Sequence, residues 1–307
     1  MQRLLKRLLK RLSWYVFVLG DRVGIHILPK HYYTPVPDMS WLRSNRSLWA
    51  RPTTLSGVVI DPDAQLDWLR SVVREHEAEV RGLRTFREIT GSGVGPGYGP
   101  IEWQVLHCAI RKLAPPLVVE IGSGVSTETI ARAVELNVTE GRSPSTIVAI
   151  EPYPSRSLTK LSGVNLIRKL VQEVGDAPFD QLSGGDLLFV DSSHSVRVGS
   201  ELQRIYLEII PRLRPGVVVH VHDIFLPYLY SPDVLSTYFG WQETTLLAAL
   251  LTANPRLQIA ASLSILHHTR PHELAAILPD YVPRATARGL FANGKGHFPS
   301  SIWLLVR

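Results

Sequence analysis

The sequence predicts an α/β fold built on an open, doubly wound sheet, and three observations carry that prediction. From Pro115 onward, short β-branched runs alternate with stretches of helical pattern. The runs are continuously apolar rather than alternating, as expected of parallel strands covered on both faces. The first of them, in VVEIGSGVSTETIARA (Val118 to Ala133), ends in an acid and two glycines before a helix begins. A turn of that kind at a strand's carboxyl end is where such sheets bind ligands.

Taken in order, residues 1–20 read as a basic amphipathic helix. Leu4, Leu5, Leu8, Leu9 and Leu12 recur at helical spacing with Lys and Arg between them. Residues 21–90 read as an extended arm rich in Pro, Tyr and Trp (HILPKHYYTPVPD) followed by helix. Within 62–90, Leu66, Leu69, Val72 and Val73 make one apolar face. The stretch GSGVGPGYGP (Gly91 to Pro100) has five glycines in ten residues and reads as a mobile loop. It opens the third segment, 91–307. A helix over 101–113 precedes strands at 117–121, 146–150, 165–168, 186–191 and 216–223. Helices are expected over 126–136, 196–213 and 242–251. Two further strands are expected at 257–266 and 302–306, as a hairpin antiparallel at the sheet edge.

Composition narrows the function. The net charge of +6 is uneven: the first twelve residues carry five basic groups and no acid. The remainder is close to neutral, so no nucleic-acid footprint is expected. The single cysteine, Cys108, rules out an intrachain disulfide and a Cys-based metal cluster, and fits a reducing, cytoplasmic setting. No apolar run reaches the ~18 residues of a spanning helix. Residues 1–20 could instead lie on an anionic membrane surface, or pack on the chain's own domain or on a second copy.

The glycine turn discriminates between cofactors. A nicotinamide fingerprint wants a third glycine, where this chain has Thr127. Glu120 precedes the first glycine, and a carboxylate there would repel a pyrophosphate but favour a ligand with an ammonium. S-adenosylmethionine is such a ligand. Gly122, Ser123, Gly124, Ser126 and Thr127 would form its cradle. The second strand ends in Glu151-Pro152, and an acid there can accept from both ribose hydroxyls. After the third strand, Gln172, Asp176 and Ala177 are candidates to flank the adenine. Tyr98 in the glycine loop could close over the cofactor.

EIGSGVST, IEPYP, VDSSHS, RPGVVVHVHD and SIWLLVR together resemble class I S-adenosylmethionine-dependent methyltransferases, closest to the bacterial branch typed by VEIGSG…IDSSH…HDI. The resemblance covers about residues 90–307. It implies a Rossmann-like sheet of seven strands with the last antiparallel. It also implies divalent-ion ligands at the ends of the fourth and fifth strands, matching Asp191, His222 and Asp223. His222 departs from the usual acid, which favours Mn²⁺ or a similar ion over Mg²⁺, or no metal.

Methyl transfer to a hydroxyl calls for a base, and His194 is the candidate, with Asp191 beside it. His220 and His222 are placed on opposite faces of the fifth strand, leaving His220 as a packed residue. His267 and His268 are placed at the surface. The expected activity is O-methylation of a sugar, polysaccharide or small-molecule hydroxyl. A non-catalytic protein that kept the fold, and a NAD(P)-dependent oxidoreductase, are the alternatives. The aromatic arm and leucine-rich helix suggest self-association.

Overall fold

In the computed structural model, residues 2–28, 36–94, 97–231, 234–237, 240–283 and 297–307 are described. Most of HYYTPVPD and part of the glycine loop lie outside them. The chain divides into two units, Met1–Trp49 and Ala50–Arg307.

The first unit opens with one long helix, Gln2–Arg22. A short helix, Met39–Ser44, follows. Its first turn is capped by Asp38, whose carboxylate accepts from the backbone N–H of Ser40 and Trp41. Trp14, Tyr15 and Leu19 are exposed. Among the described residues, no helix is long and apolar enough to cross a membrane.

The second unit is a seven-stranded sheet. Its strands are β1 (Leu117–Ile121), β2 (Thr146–Ile150), β3 (Val164–Ile167), β4 (Leu187–Val190), β5 (Val218–His222), β6 (Leu257–Ser262) and β7 (Ser301–Val306). Their order is β3-β2-β1-β4-β5-β7-β6. β1 to β5 pair in parallel, and β7 runs antiparallel to both of its neighbours. β6 and β7 are thus an antiparallel pair added at the β5 edge of the parallel strands, with β7 next to β5 and β6 outermost.

Both faces are covered, as the unbroken apolar strands require. One face packs Val118, Phe189 and Trp303 under the helices Pro62–Val73, Pro100–Leu113 and Val125–Thr139. The other packs Val119, Leu188, Val190 and Val219 under the helical stretch 201–212 and the helix Glu243–Leu251.

Two elements differ from expectation for local reasons. β6 stops at Ser262, whose hydroxyl accepts from the Ile265 N–H and starts a helix, Leu263–Thr269. A continuous apolar run does not by itself separate strand from helix. The helix after β4 begins at Glu201 rather than near Val196, because His194 and Gly199 take left-handed backbone conformations that a helix cannot contain.

Candidate active site

Strand register gathers the site into one row. Ile121 of β1 stands beside Val190 of β4, and Val190 beside Val221 of β5. One residue further along each strand come Gly122, Asp191 and His222, with Ser301 of β7 opposite His222. The row crosses the carboxyl ends of the central strands, where an α/β sheet binds its ligand.

The turn at β1 is closely fitted. Gly122 has φ +101°, and a Cβ there would meet the Asp191 carbonyl oxygen at 1.9 Å. Gly124, at φ +150°, leads into the helix Val125–Thr139, and its N–H donates to Thr127 Oγ1 at 3.0 Å. Ser126 Oγ donates to Glu120 Oε1 at 2.6 Å, so both hydroxyls brace the turn. Glu120 is buried, and its second oxygen has no hydrogen-bond partner. Burial pushes its carboxyl up to about 8, outweighing the hydroxyls of Ser126 and Thr127. Glu120 is thus not the fixed negative charge the sequence suggested. A cationic partner beside the orphaned oxygen would favour the ionised form at neutral pH.

At β2, Glu151 is held open to the same side: Ser123 Oγ donates to one oxygen at 3.2 Å, and the Tyr153 N–H to the other at 2.7 Å. Pro152 follows, partly buried. The adenine candidates are engaged elsewhere. Gln172 Nε2 donates to the Gly199 carbonyl, while Asp176 accepts from Arg204 and Arg212, the latter holding its carboxyl below the usual range. Ala177 begins a short helix beside them.

The ends of β4 and β5 form a cluster of four ionisable groups. His194 Nε2 lies 3.3 Å from Asp191 Oδ1 and 3.6 Å from Asp223 Oδ2. His222 Nδ1 lies 3.4 Å from Asp191 Oδ1 and 3.7 Å from Asp223 Oδ2. His194 and Asp223 are both non-glycine residues at positive φ, +57° and +54°. Strained backbone of that kind concentrates at functional sites.

The charges follow from the packing. Burial opposes a charge on His194, but its hydrogen bonds to Asp191 and Glu243 outweigh that and raise it well above an ordinary histidine. Burial likewise opposes His222, yet Asp223 and Asp191 hold it up to about 9. Asp191, which burial alone would raise, is lowered by the positive charges of His222 and His194 beside it. These shifts favour a proton on both imidazoles and a negative charge on Asp191. Among the described residues, no group of three or more His, Cys, Asp or Glu is arranged as a metal-ligand shell.

Two groups with a bearing on the site carried no signal in the sequence. Glu243 is buried and accepts from His194 Nδ1 at 2.6 Å and from the Tyr206 hydroxyl at 2.9 Å. It stands 49 positions from His194, and in sequence it reads as an ordinary acid at a helix start. Glu102, also buried, accepts from the Ser300 N–H at 2.6 Å, and Ser300 Oγ in turn donates to Asp223 Oδ1 at 2.9 Å. Replacing Glu243 with Gln should free the His194 ring. Methyl transfer is expected to fall at least tenfold, with the affinity for S-adenosylhomocysteine unchanged, as kinetics and calorimetry on the same preparation will show.

Three other expectations need correction or refinement. His220 and His222 share a face of β5, because residues two apart on a strand point the same way. Both touch Tyr98: its hydroxyl lies 3.3 Å from His220 Nε2 and its ring 4.7 Å from that of His222. His220 is indeed packed, stacked on Phe189 at 4.6 Å and kept neutral by burial. Tyr98 is itself buried in these contacts, so closing over a cofactor would require it to leave them. His267 is not a surface residue. It is buried, with Nδ1 2.6 Å from the Tyr281 hydroxyl, while burial pulls His268 down to about 4.

Residues 119–224 match the family model described as "Methyltransferase domain". That segment runs from β1 through the end of β5 and contains the glycine turn, Glu151 and the whole cluster. No curated protein matches the chain significantly. Among solved structures, a candidate O-methyltransferase from Klebsiella pneumoniae is 14% identical, with 79% of this chain and 99% of that chain covered and a TM-score of 0.44. The Podospora anserina methyltransferase PaMTH1, bound to S-adenosylhomocysteine, is 14% identical over 89% and 99% of the two chains, with a TM-score of 0.42. An O-methyltransferase from Bacillus cereus, also with S-adenosylhomocysteine, is 14% identical over 87% and 99%, with a TM-score of 0.40. Residues 119–224 thus match a methyltransferase domain, and the sheet order seen here, seven strands with β7 antiparallel, is the one that the resemblance to class I S-adenosylmethionine-dependent methyltransferases implies.

Proposed function

We propose that the chain transfers a methyl group to a hydroxyl of a sugar, polysaccharide or small molecule. The observation that carries this is the cluster of Asp191, His194, His222 and Asp223, in which Asp191 and His222 share one row across the strand ends with Gly122 of the glycine turn. When bound, S-adenosylmethionine supplies an electrophilic methyl on a sulfonium. What remains for the chain is to align the acceptor and remove its proton. Glu120, Gly122, Ser123, Gly124, Ser126, Thr127, Glu151 and Pro152 are the proposed cofactor contacts, with Asp191 on their border.

His194 is the proposed base, oriented through Nδ1 by Glu243, with Nε2 toward the acceptor side. Its raised proton affinity sets the sign of the pH dependence. The imidazolium cannot accept a proton, and the neutral form appears only well above pH 6.5. The rate should therefore climb with pH past the ordinary histidine range. His194→Ala should cost roughly 10²–10⁴-fold in kcat and remove that limb. A limb centred at or below pH 6.5 in the kcat profile, or full activity in His194→Ala, would take the base role away from this residue.

A divalent ion is a second reading. His222 Nδ1 is buried without a hydrogen-bond partner and faces two carboxylate oxygens. Asp191, His222 and Asp223 would hold the ion, and their mixed nitrogen and oxygen donors suit Mn²⁺ better than Mg²⁺. It would act as a Lewis acid on the acceptor oxygen. Chelation by EDTA followed by Mn²⁺ addition separates the two cases: loss and recovery of activity support the ion, and unchanged activity excludes the requirement.

Residues 1–20 are proposed as a peripheral contact for anionic membranes, on their five basic residues and the exposed Trp14 and Tyr15. Co-sedimentation with phosphatidylglycerol vesicles, but not with phosphatidylcholine vesicles, is the expected result. Equal behaviour with both would remove this contact.

A further inference from the structure

A cavity of about 200 Å³ lies beside the cluster, on the far side of β5 from the glycine turn. Its wall is formed by the turn at Gly97 and Gly99, the start of the helix Pro100–Leu113, the end of β5, and the segment His297–Ser300 that leads into β7. His222 and Asp223 belong both to this wall and to the cluster. Whatever fills the cavity is therefore presented to the groups that would handle an acceptor proton.

The wall is a built polar surface. Glu102 is buried at its base, one oxygen accepting from the Ser300 N–H and the other lying over Gly99, where a Cβ would meet it at 2.2 Å. Glycine at 99 thus leaves the room in which this carboxylate turns into the cavity. Ser300 Oγ pins Asp223. His222 Nδ1, buried and without a hydrogen-bond partner, is a polar atom in want of one. Phe298 lines the same cavity, partly exposed and packed among the rings of His267 at 4.9 Å, His268 at 5.3 Å and Phe225 at 6.4 Å. An aromatic ring in one wall with carboxylates and a hydroxyl suits a molecule with an apolar face and a polar rim.

We propose that this cavity is the acceptor subsite and takes one uncharged, hydroxyl-rich ring of hexose size. Glu102 and Asp223 accept from its hydroxyls, and Phe298 lies against its C–H face. The proposal rests on the methyl-transfer function above. The size argues for a single ring, since drug-sized ligands occupy roughly 300–1,000 Å³. The lining argues against an anion: Glu102 and Asp223 stand in the wall, and no Lys or Arg is among its residues.

The test uses the full chain, with methyl α-D-glucopyranoside, methyl α-D-mannopyranoside and methyl β-D-glucuronide as probes. Saturation-transfer NMR in the presence of S-adenosylhomocysteine reads binding, and methyl-labelled S-adenosylmethionine reads transfer. At least one neutral hexoside should bind and be methylated, and the glucuronide should bind at least tenfold more weakly. Glu102→Gln keeps an oxygen for the Ser300 N–H, so it should fold. It should lower kcat/KM for the hexoside at least tenfold while the Kd for S-adenosylhomocysteine stays within twofold. Phe298→Ala should raise KM. Equal binding of the glucuronide, a Glu102→Gln enzyme with unchanged kcat/KM, or no hexoside binding to a chain that still binds S-adenosylhomocysteine would each overturn the subsite. A wild-type chain that does not bind S-adenosylhomocysteine would remove the methyl-transfer function itself, and the subsite with it.

Discussion

Gly122→Ala is expected to abolish cofactor binding and to lower the melting temperature by several degrees. The added Cβ would sit 1.9 Å from the Asp191 carbonyl oxygen, far inside contact distance. Neither side can retreat. The Gly122 N–H donates to the Ile150 carbonyl at 3.0 Å, and the Asp191 N–H to the Ile121 carbonyl at 2.9 Å. The turn is thus tied to β2 on one side and β4 on the other. Backbone must shift, and overpacking of this kind costs roughly 1–3 kcal/mol or more. The φ of +101° adds about 1–2 kcal/mol for any residue with a Cβ. Gly141 is the control. It also has positive φ, at +85°, but nothing lies within 4 Å of a Cβ placed there. Gly141→Ala should lose a little stability and bind S-adenosylhomocysteine normally. Should Gly122→Ala bind within threefold of wild type by calorimetry, the turn is not where the cofactor sits.

The contrast between these glycines shows what could be read from sequence. VVEIGSG announces a turn because two glycines follow an apolar run, and the strand pattern locates that turn at the rim of a parallel sheet. Strand periodicity and glycine placement are local properties, so five parallel strands, the turn and the two strand-end acids were all legible. The insertion of β7 between β5 and β6 follows from no local pattern, since an apolar run such as SIWLLVR fits an interior strand and an edge strand alike. The partners of His194 were equally hidden. Asp191 is three residues away, but Glu243 reaches it only through the fold, and together with Asp191 it holds the proton on the ring. Glu102 reads as one more charge near a helix start until the chain brings Ser300 to it. The sequence names the polar groups of a site well, and their protonation poorly, because protonation depends on burial and on distant neighbours.

Glu120 makes that last point measurable. Its carboxyl, pushed up to about 8 by burial, is mostly protonated in the empty turn at pH 7. A ligand carrying an ammonium beside the unpaired oxygen favours the ionised form, so binding should expel the proton. With a group titrating near 8, roughly nine-tenths of a proton should be released per cofactor bound at pH 7, falling to about one-tenth at pH 9. Calorimetry of S-adenosylhomocysteine in phosphate and in Tris, whose ionisation enthalpies differ, counts that proton directly. Glu120→Gln should release none. Below pH 8, each unit of acid should weaken wild-type binding up to about tenfold relative to the Gln variant. Taking the ratio of the two proteins cancels the ligand's own amine titration. The same shift has the opposite sign for the empty protein's stability. The folded chain keeps a proton on Glu120 that the unfolded chain loses in the ordinary carboxylate range, so stability declines as pH rises from there through 8 and is level above it. The site therefore costs the empty protein stability at the pH where it binds best. If proton release is the same in wild type and Glu120→Gln, the carboxylate does not face the ligand's ammonium, and the electrostatic basis for preferring a cationic nucleoside at this turn is gone.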